Sequence, residues 1–161
     1  MSDFESRLSQ AIQRGRQSAQ ASKAAAQRAA LTEEQLRRLH SQYRLELAEH
    51  IESCLSKMGD HFPGFRLESV VGDRGWGAAA ARDDVQMASG KASTVFSRIE
   101  VTVRPYSTAQ VLEIGVRGTI RNKEVLQRSL YHPLTDAQVA RLIDQIDLWL
   151  VEYAELYAAR G

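Results

Sequence analysis

Glu46, His50 and Cys54 stand at steps of four, which places a carboxylate, an imidazole and a thiol along one side of a helix. All three are metal-ligating residue types. On sequence alone the set stays incomplete. Cys54 falls on the apolar stripe of its helix and His50 at the margin of that stripe. No C-x-x-C or H-E-x-x-H spacing completes a site, so no metal is expected. Nothing near Cys54 marks it as an activated nucleophile, and a buried cysteine ordinarily behaves as a small hydrophobe.

Other chemistry-bearing groups are equally isolated. Asp83 and Asp84 could form a carboxylate pair, but neighbours on a strand point to opposite faces. His132 stands before Pro133 where a strand ends and gains no catalytic role from that place. No catalytic residue and no cofactor is expected. The most unusual local string is Gly72-Asp73-Arg74-Gly75-Trp76-Gly77. Its glycines let the backbone bend and approach closely. It lacks the G-x-G-x-x-G spacing of a dinucleotide site and reads first as a hairpin turn ahead of a core Trp. As a site, it would offer Asp73, Arg74 and Trp76 as the edge of a small ligand pocket.

The elements that position these residues centre on 95–131. Over 95–104, Val95, Ile99, Val101 and Val103 share one face, while Arg98, Glu100, Thr102 and Arg104 share the other. Alternation with β-branched residues marks a half-buried strand. Pro105 ends it, and 106–109 turn the chain. Over 110–121, Leu112, Ile114, Val116 and Ile120 oppose Glu113, Arg117, Thr119 and Arg121. Gly115 and Gly118 interrupt this run, which suggests a bulge or the close approach of another group. Asn122-Lys123 reads as the next hairpin turn. That register sets Arg121 against Glu124 and Arg117 against Arg128, a like-charge pair that calls for a held anion or a different register.

Upstream, residues 1–30 form a basic, Ala- and Ser-rich extension with few large apolar residues, expected to be flexible or partly helical. A firm helix is expected from Thr32, with Gln35 closing a capping box and Leu31 and Leu36 forming a hydrophobic staple. Leu36, Leu39, Tyr43, Leu47, Ile51, Cys54 and Met58 then form an apolar stripe up to Gly59. Segments 65–71 and 76–82 read as strands, and 83–94 as a mobile loop. Thr135 and Gln138 repeat the capping device before a second helix, whose stripe is Val139, Leu142, Ile146, Trp149, Tyr153 and Leu156 or Tyr157.

Two amphipathic helices and a one-sided meander make an α+β domain over 31–161. The expected order is α-β-β-β-β-β-α, with an antiparallel five-stranded sheet carrying both helices on one face. The opposite face would display Arg98, Arg104, Arg117, Arg121 and Arg128 together with Leu126 and Leu130. Residues 95–133 carry six basic against three acidic groups, and 134–161 two basic against five acidic, so the sheet and last helix differ in sign.

The 161 residues hold 43% hydrophobic and 25% charged residues, ordinary for a globular domain. No apolar run approaches the roughly 20 residues of a membrane span, and no membrane association is expected. A single cysteine cannot form an internal disulfide, which fits a cytoplasmic location. The functional expectation is a non-enzymatic adaptor or chaperone-like module that uses the open sheet face to hold another protein or its own copy. The alternatives are a nucleic-acid-binding protein using that face and the basic extension, or a small-molecule-binding protein or enzyme with a site where 72–77 meets 83–94.

Overall fold

A computed structural model describes the backbone of residues 3–160 and the side chains of all of these except 28–31. The first helix, α1, is Asp3–His61. Five strands follow: β1 (Arg66–Gly72), β2 (Gly75–Ala88), β3 (Lys91–Val103), β4 (Val111–Ile120) and β5 (Lys123–Pro133). A single 3-10 turn at Leu134–Asp136 leads into the second helix, α2, Val139–Arg160. The fold is α+β in the expected order. By contact density the chain divides within α1 into Met1–Arg38 and Leu39–Gly161.

Within the first unit, α1 shows why the expected start at Thr32 fails. Residues 16–30 are rich in alanine, and the described stretch holds no proline. Helical geometry therefore continues from Asp3 without a break. Pairs at i,i+4 support it: Asp3 with Arg7, Glu33 with Arg37 and Glu34 with Arg38. Thr32 lies inside the helix rather than at its end. The side chain of Leu31 lies outside the described residues.

The second unit contains the sheet, in order β1-β2-β3-β4-β5 with every neighbour antiparallel. Its inner face is lined by Val95, Ile99, Val101 and Val103 from β3 and by Leu112, Ile114, Val116 and Ile120 from β4, all buried. Both helices cover this face. From α1 come Leu47, Ile51, Leu55 and Met58, and from α2 come Leu142, Ile146, Trp149, Leu150, Tyr153 and Tyr157. Named contacts fix the side. Ser69 Oγ donates to Glu52 at 3.3 Å, and the Arg44 guanidinium lies 4.3 Å from the centre of the Trp76 ring. Tyr153 Oη donates to the Thr119 carbonyl at 2.8 Å.

Three expectations give way here. First, 83–94 is not a loop: Asp84 pairs with Val95 and Val85 with Thr94, and the chain reverses at Ser89-Gly90. Positive φ at both residues (52° and 75°) is the backbone of a twisted two-residue hairpin. Second, Thr135 belongs to the 3-10 turn rather than capping α2. The amides of Arg141 and Leu142 donate to the Gln138 carbonyl, so the helix begins after Gln138. Third, the β4–β5 turn is Arg121-Asn122, with φ of 47° and 68° and Ile120 opposite Lys123. A bulge beside Gly118-Thr119 leaves Val125 without a partner.

The bulge decides the faces of β5. Beyond it, Gly118 opposes Leu126, Val116 opposes Arg128 and Ile114 opposes Leu130. A one-residue change of register moves each side chain to the other face. Leu126 is consequently buried on the helix side, and Leu130 and Arg128 share that side. Arg117 opposes Gln127, so the expected arginine pair does not form.

Candidate functional site

The outer sheet face, away from the helices, keeps Arg98, Arg104 and Arg117 where alternation places them. Arg98 is engaged by carboxylates, with Glu100 at 3.3 Å and Glu68 at 3.9 Å. Arg121 belongs to the hairpin turn, and its amide donates to Ser97 Oγ at 3.0 Å. Arg128 reaches toward α2, where its two terminal nitrogens donate to the two oxygens of Glu152 at 2.8 and 2.9 Å. The expected basic face is thus narrower than seven residues, and Leu126, Leu130, Arg121 and Arg128 do not belong to it.

What the face does contain is a furrow. Thr102 opposes Gly115, and Gly115 opposes Ser129. Small residues therefore follow one another across β3, β4 and β5. The next row holds Glu100, Arg117 and Gln127 in register. On the other flank stands Arg104, whose guanidinium arches over Gly115: a Cβ there would lie 3.3 Å from one of its terminal nitrogens. Arg74, in the β1–β2 turn, closes one side. These residues enclose a cavity of about 360 Å³. Arg117 has a carboxylate neighbour, Glu124, at 3.6 Å. The guanidiniums of Arg74 and Arg104 have no ion pair or hydrogen bond among the described residues. Two uncommitted guanidiniums beside a gap between side chains, with a Thr and a Ser hydroxyl, suit a planar or tetrahedral oxyanion.

The expected ligand edge is divided by the sheet. Arg74 joins this furrow, and Asp73 stays exposed in the turn. Trp76 opposes Val103 and points to the helix side, under Arg44. Segments 72–77 and 83–94 lie at opposite ends of β2 and its hairpin, so they make no common pocket. Gly75 is required where it stands: at φ 132° a side chain would strike the Val103 carbonyl.

A second cluster lies on the helical side. His50 Nε2 is 2.7 Å from Asp147 Oδ1, and Cys54 Sγ is 3.3 Å from the same nitrogen and 3.4 Å from the same oxygen. The helix stripe runs through Leu55 rather than Cys54, which leaves Cys54 half-buried at the margin with His50. Glu46, the third member of the helical spacing, does not join; Asp147 from α2 does. Burial, and then the bond and charge of Asp147, push the Cys54 thiol up to about 11, against a smaller opposite effect of Lys57. A thiol held protonated in this way is a poor nucleophile. Nor is this a catalytic relay, because the same imidazole nitrogen meets both the carboxylate and the sulfur. The three residues line a cleft of about 880 Å³ with Met58, Phe62, Leu150 and Val151.

The sequence missed this cluster because Asp147 is remote in the chain and no local spacing announces it. Among the described residues no helix is long and apolar enough to cross a membrane. Compared with known proteins, the chain matches no family model, and no curated protein and no solved structure is found to be similar to it.

Proposed function

We propose that the chain is a non-enzymatic binding module whose outer sheet face holds an acidic segment of a partner protein. One observation carries this reading. Among the described residues the Arg74 and Arg104 guanidiniums have no carboxylate partner, and they stand beside a furrow floored by Thr102, Gly115 and Ser129. Most other charges of that face are already balanced: Arg98 by Glu100 and Glu68, Arg66 by Asp83. A carboxylate-bearing segment would supply what the two arginines lack, and charge-assisted bonds of this kind are the stronger sort.

Nucleic acid fits the same face less well. Glu68, Asp83, Glu100 and Glu113 are interspersed along it, and a phosphate backbone requires a continuous basic track. Phe96 and Tyr131 are its exposed aromatics, and they stand on different strands, with β4 between them.

Fluorescence anisotropy with a labelled oligo-glutamate peptide tests the proposal, against a single-stranded oligonucleotide of equal charge. The peptide should bind at low ionic strength, and Arg104→Glu together with Arg74→Glu should abolish binding. Preference for the oligonucleotide would favour nucleic acid instead. If the double variant bound the peptide as the unmodified chain does, the furrow would not be the site.

A further inference from the structure

We propose that His50, Cys54 and Asp147 form a binding site for one divalent transition-metal ion of the zinc type. The donor set is the first reason. An imidazole nitrogen, a sulfur and a carboxylate oxygen are the three ligand kinds zinc accepts. They come from two helices and converge so that every pair of ligand atoms lies within 4.8 Å.

Distances are the second reason. With metal–nitrogen and metal–oxygen bonds of about 2.0–2.1 Å and a metal–sulfur bond of about 2.3 Å, tetrahedral ligands stand about 3.4–3.6 Å apart. Sulfur is already 3.3 Å from the nitrogen and 3.4 Å from the oxygen. The nitrogen–oxygen pair, at 2.7 Å, must open most, by roughly 0.7 Å on the same geometry. A side-chain rotation at Asp147, which is half exposed, is enough for that.

Placement is the third. Two ligands one helical turn apart present their atoms side by side, and Asp147 faces them from α2. Three protein ligands leave a fourth position for water or for a ligand. The cluster lines the apolar cleft of Met58, Phe62, Leu150 and Val151, so an incoming ligand would have an apolar body. Proton accounting is simple. The ion takes the place of the Cys54 thiol proton, which leaves to solvent. The imidazole proton moves to Nδ1 and frees Nε2 to ligate. Cys54 releases one proton for each ion bound, and nothing is oxidised or reduced.

Cobalt(II) is the probe. Cys54 is the only cysteine in the chain, so a thiolate-to-cobalt charge-transfer band can come from no other residue. Titration of the full chain should raise that band to a plateau at one cobalt per chain. Zinc should abolish it by displacement and raise the melting temperature of the unmodified chain. Cys54→Ser should lose the band, and Asp147→Asn should weaken cobalt binding by about tenfold or more. His61→Asn, at the far end of the same cleft, should change the affinity less than about threefold. Absence of a band in the unmodified chain would overturn the proposal, whatever the variants do. So would Asp147→Asn binding as tightly as the unmodified chain.

Discussion

The ring of Tyr153 occupies the space that a side chain at Gly118 would need. A Cβ built there would lie 2.8 Å from Tyr153 Cδ2 and 3.3 Å from the Leu126 Cβ. The same tyrosine donates its hydroxyl to the carbonyl of the next residue, Thr119, at 2.8 Å. One side chain of α2 therefore marks the bulge from two directions and holds β4 against the helix. Gly118→Ala should destabilise the fold by about 1–3 kcal/mol through overpacking. Tyr153→Phe keeps the ring but loses this bond, and should lose about 0.5–1.5 kcal/mol. Urea unfolding of both variants checks this. A Gly118→Ala chain as stable as the original would show that the ring can move aside.

The β4–β5 turn is tied to β3 by three bonds. The Phe96 amide donates to Asn122 Oδ1 at 2.9 Å, the Asn122 amide to the Phe96 carbonyl at 2.8 Å, and the Arg121 amide to Ser97 Oγ at 3.0 Å. Asn122 also has φ of 68°. Asn122→Gly keeps that backbone freedom and loses one bond, about 0.5–1.5 kcal/mol. Asn122→Ala loses the bond and adds a left-handed penalty of about 1–2 kcal/mol. Thermal melts should rank the original above the glycine variant and that above the alanine variant. Equal stability of the two variants would mean that backbone strain contributes nothing there.

His40 gives the fold a pH dependence with a definite sign. It is buried, and its Nε2–H donates to the Arg104 carbonyl at 3.0 Å. Its pKa is lowered chiefly by burial, with Arg44 acting in the same direction, against the opposing effect of the carbonyl bond. The unfolded chain therefore takes up a proton at higher pH than the folded one. The neutral ring's contribution is complete above the ordinary imidazole value of about 6.5 and is lost as pH falls through the lower folded value. His40→Gln keeps a donor but cannot charge. The stability of the original relative to this variant should fall between pH 7.5 and 5. A constant difference over that range would show that His40 titrates alike in both states.

These particulars also show where sequence is readable. β3 and β4 could be read because each has one face in the core, so alternation is enforced by burial. The arm from 83 to 94 could not. β1 pairs with β2 only as far as Ala81, and β4 with β3 only as far as Arg98. Beyond those points the two strands leave the sheet, from Val85 to Thr94 both faces meet water, and nothing there selects alternation. In β2 the run Ala78-Ala79-Ala80 has weak strand propensity, yet all three are buried. β5 was misread by one step because a bulge adds a residue without altering the local pattern, and that step removed Arg128 and Leu130 from the expected outer face. Thr135 and Gln138 have the spacing of a capping box, but the 3-10 turn after Pro133 takes up Thr135 first. The metal-competent cluster needed Asp147, which only the packing of α2 beside α1 supplies.

The register also separates arginines that the sequence groups together. Arg104 lies over the furrow with its guanidinium free among the described residues, whereas Arg128 is held by both oxygens of Glu152 on the helix side. If an acidic peptide binds as proposed, Arg104→Ala should weaken it by about tenfold, since a lost charge-assisted bond amounts to roughly 1.5–3 kcal/mol. Arg128→Ala should change binding less than about threefold, because that guanidinium is already committed. In stability the order reverses. Arg128→Ala removes a partly exposed ion pair that contributes about 0.2–1 kcal/mol after solvent screening, and Arg104→Ala removes no ion pair among the described residues. Peptide titrations and urea unfolding on the same two variants read both quantities. Equal losses of peptide affinity would mean that the ligand reaches the β5 edge, and binding would then be governed by summed charge rather than by the furrow.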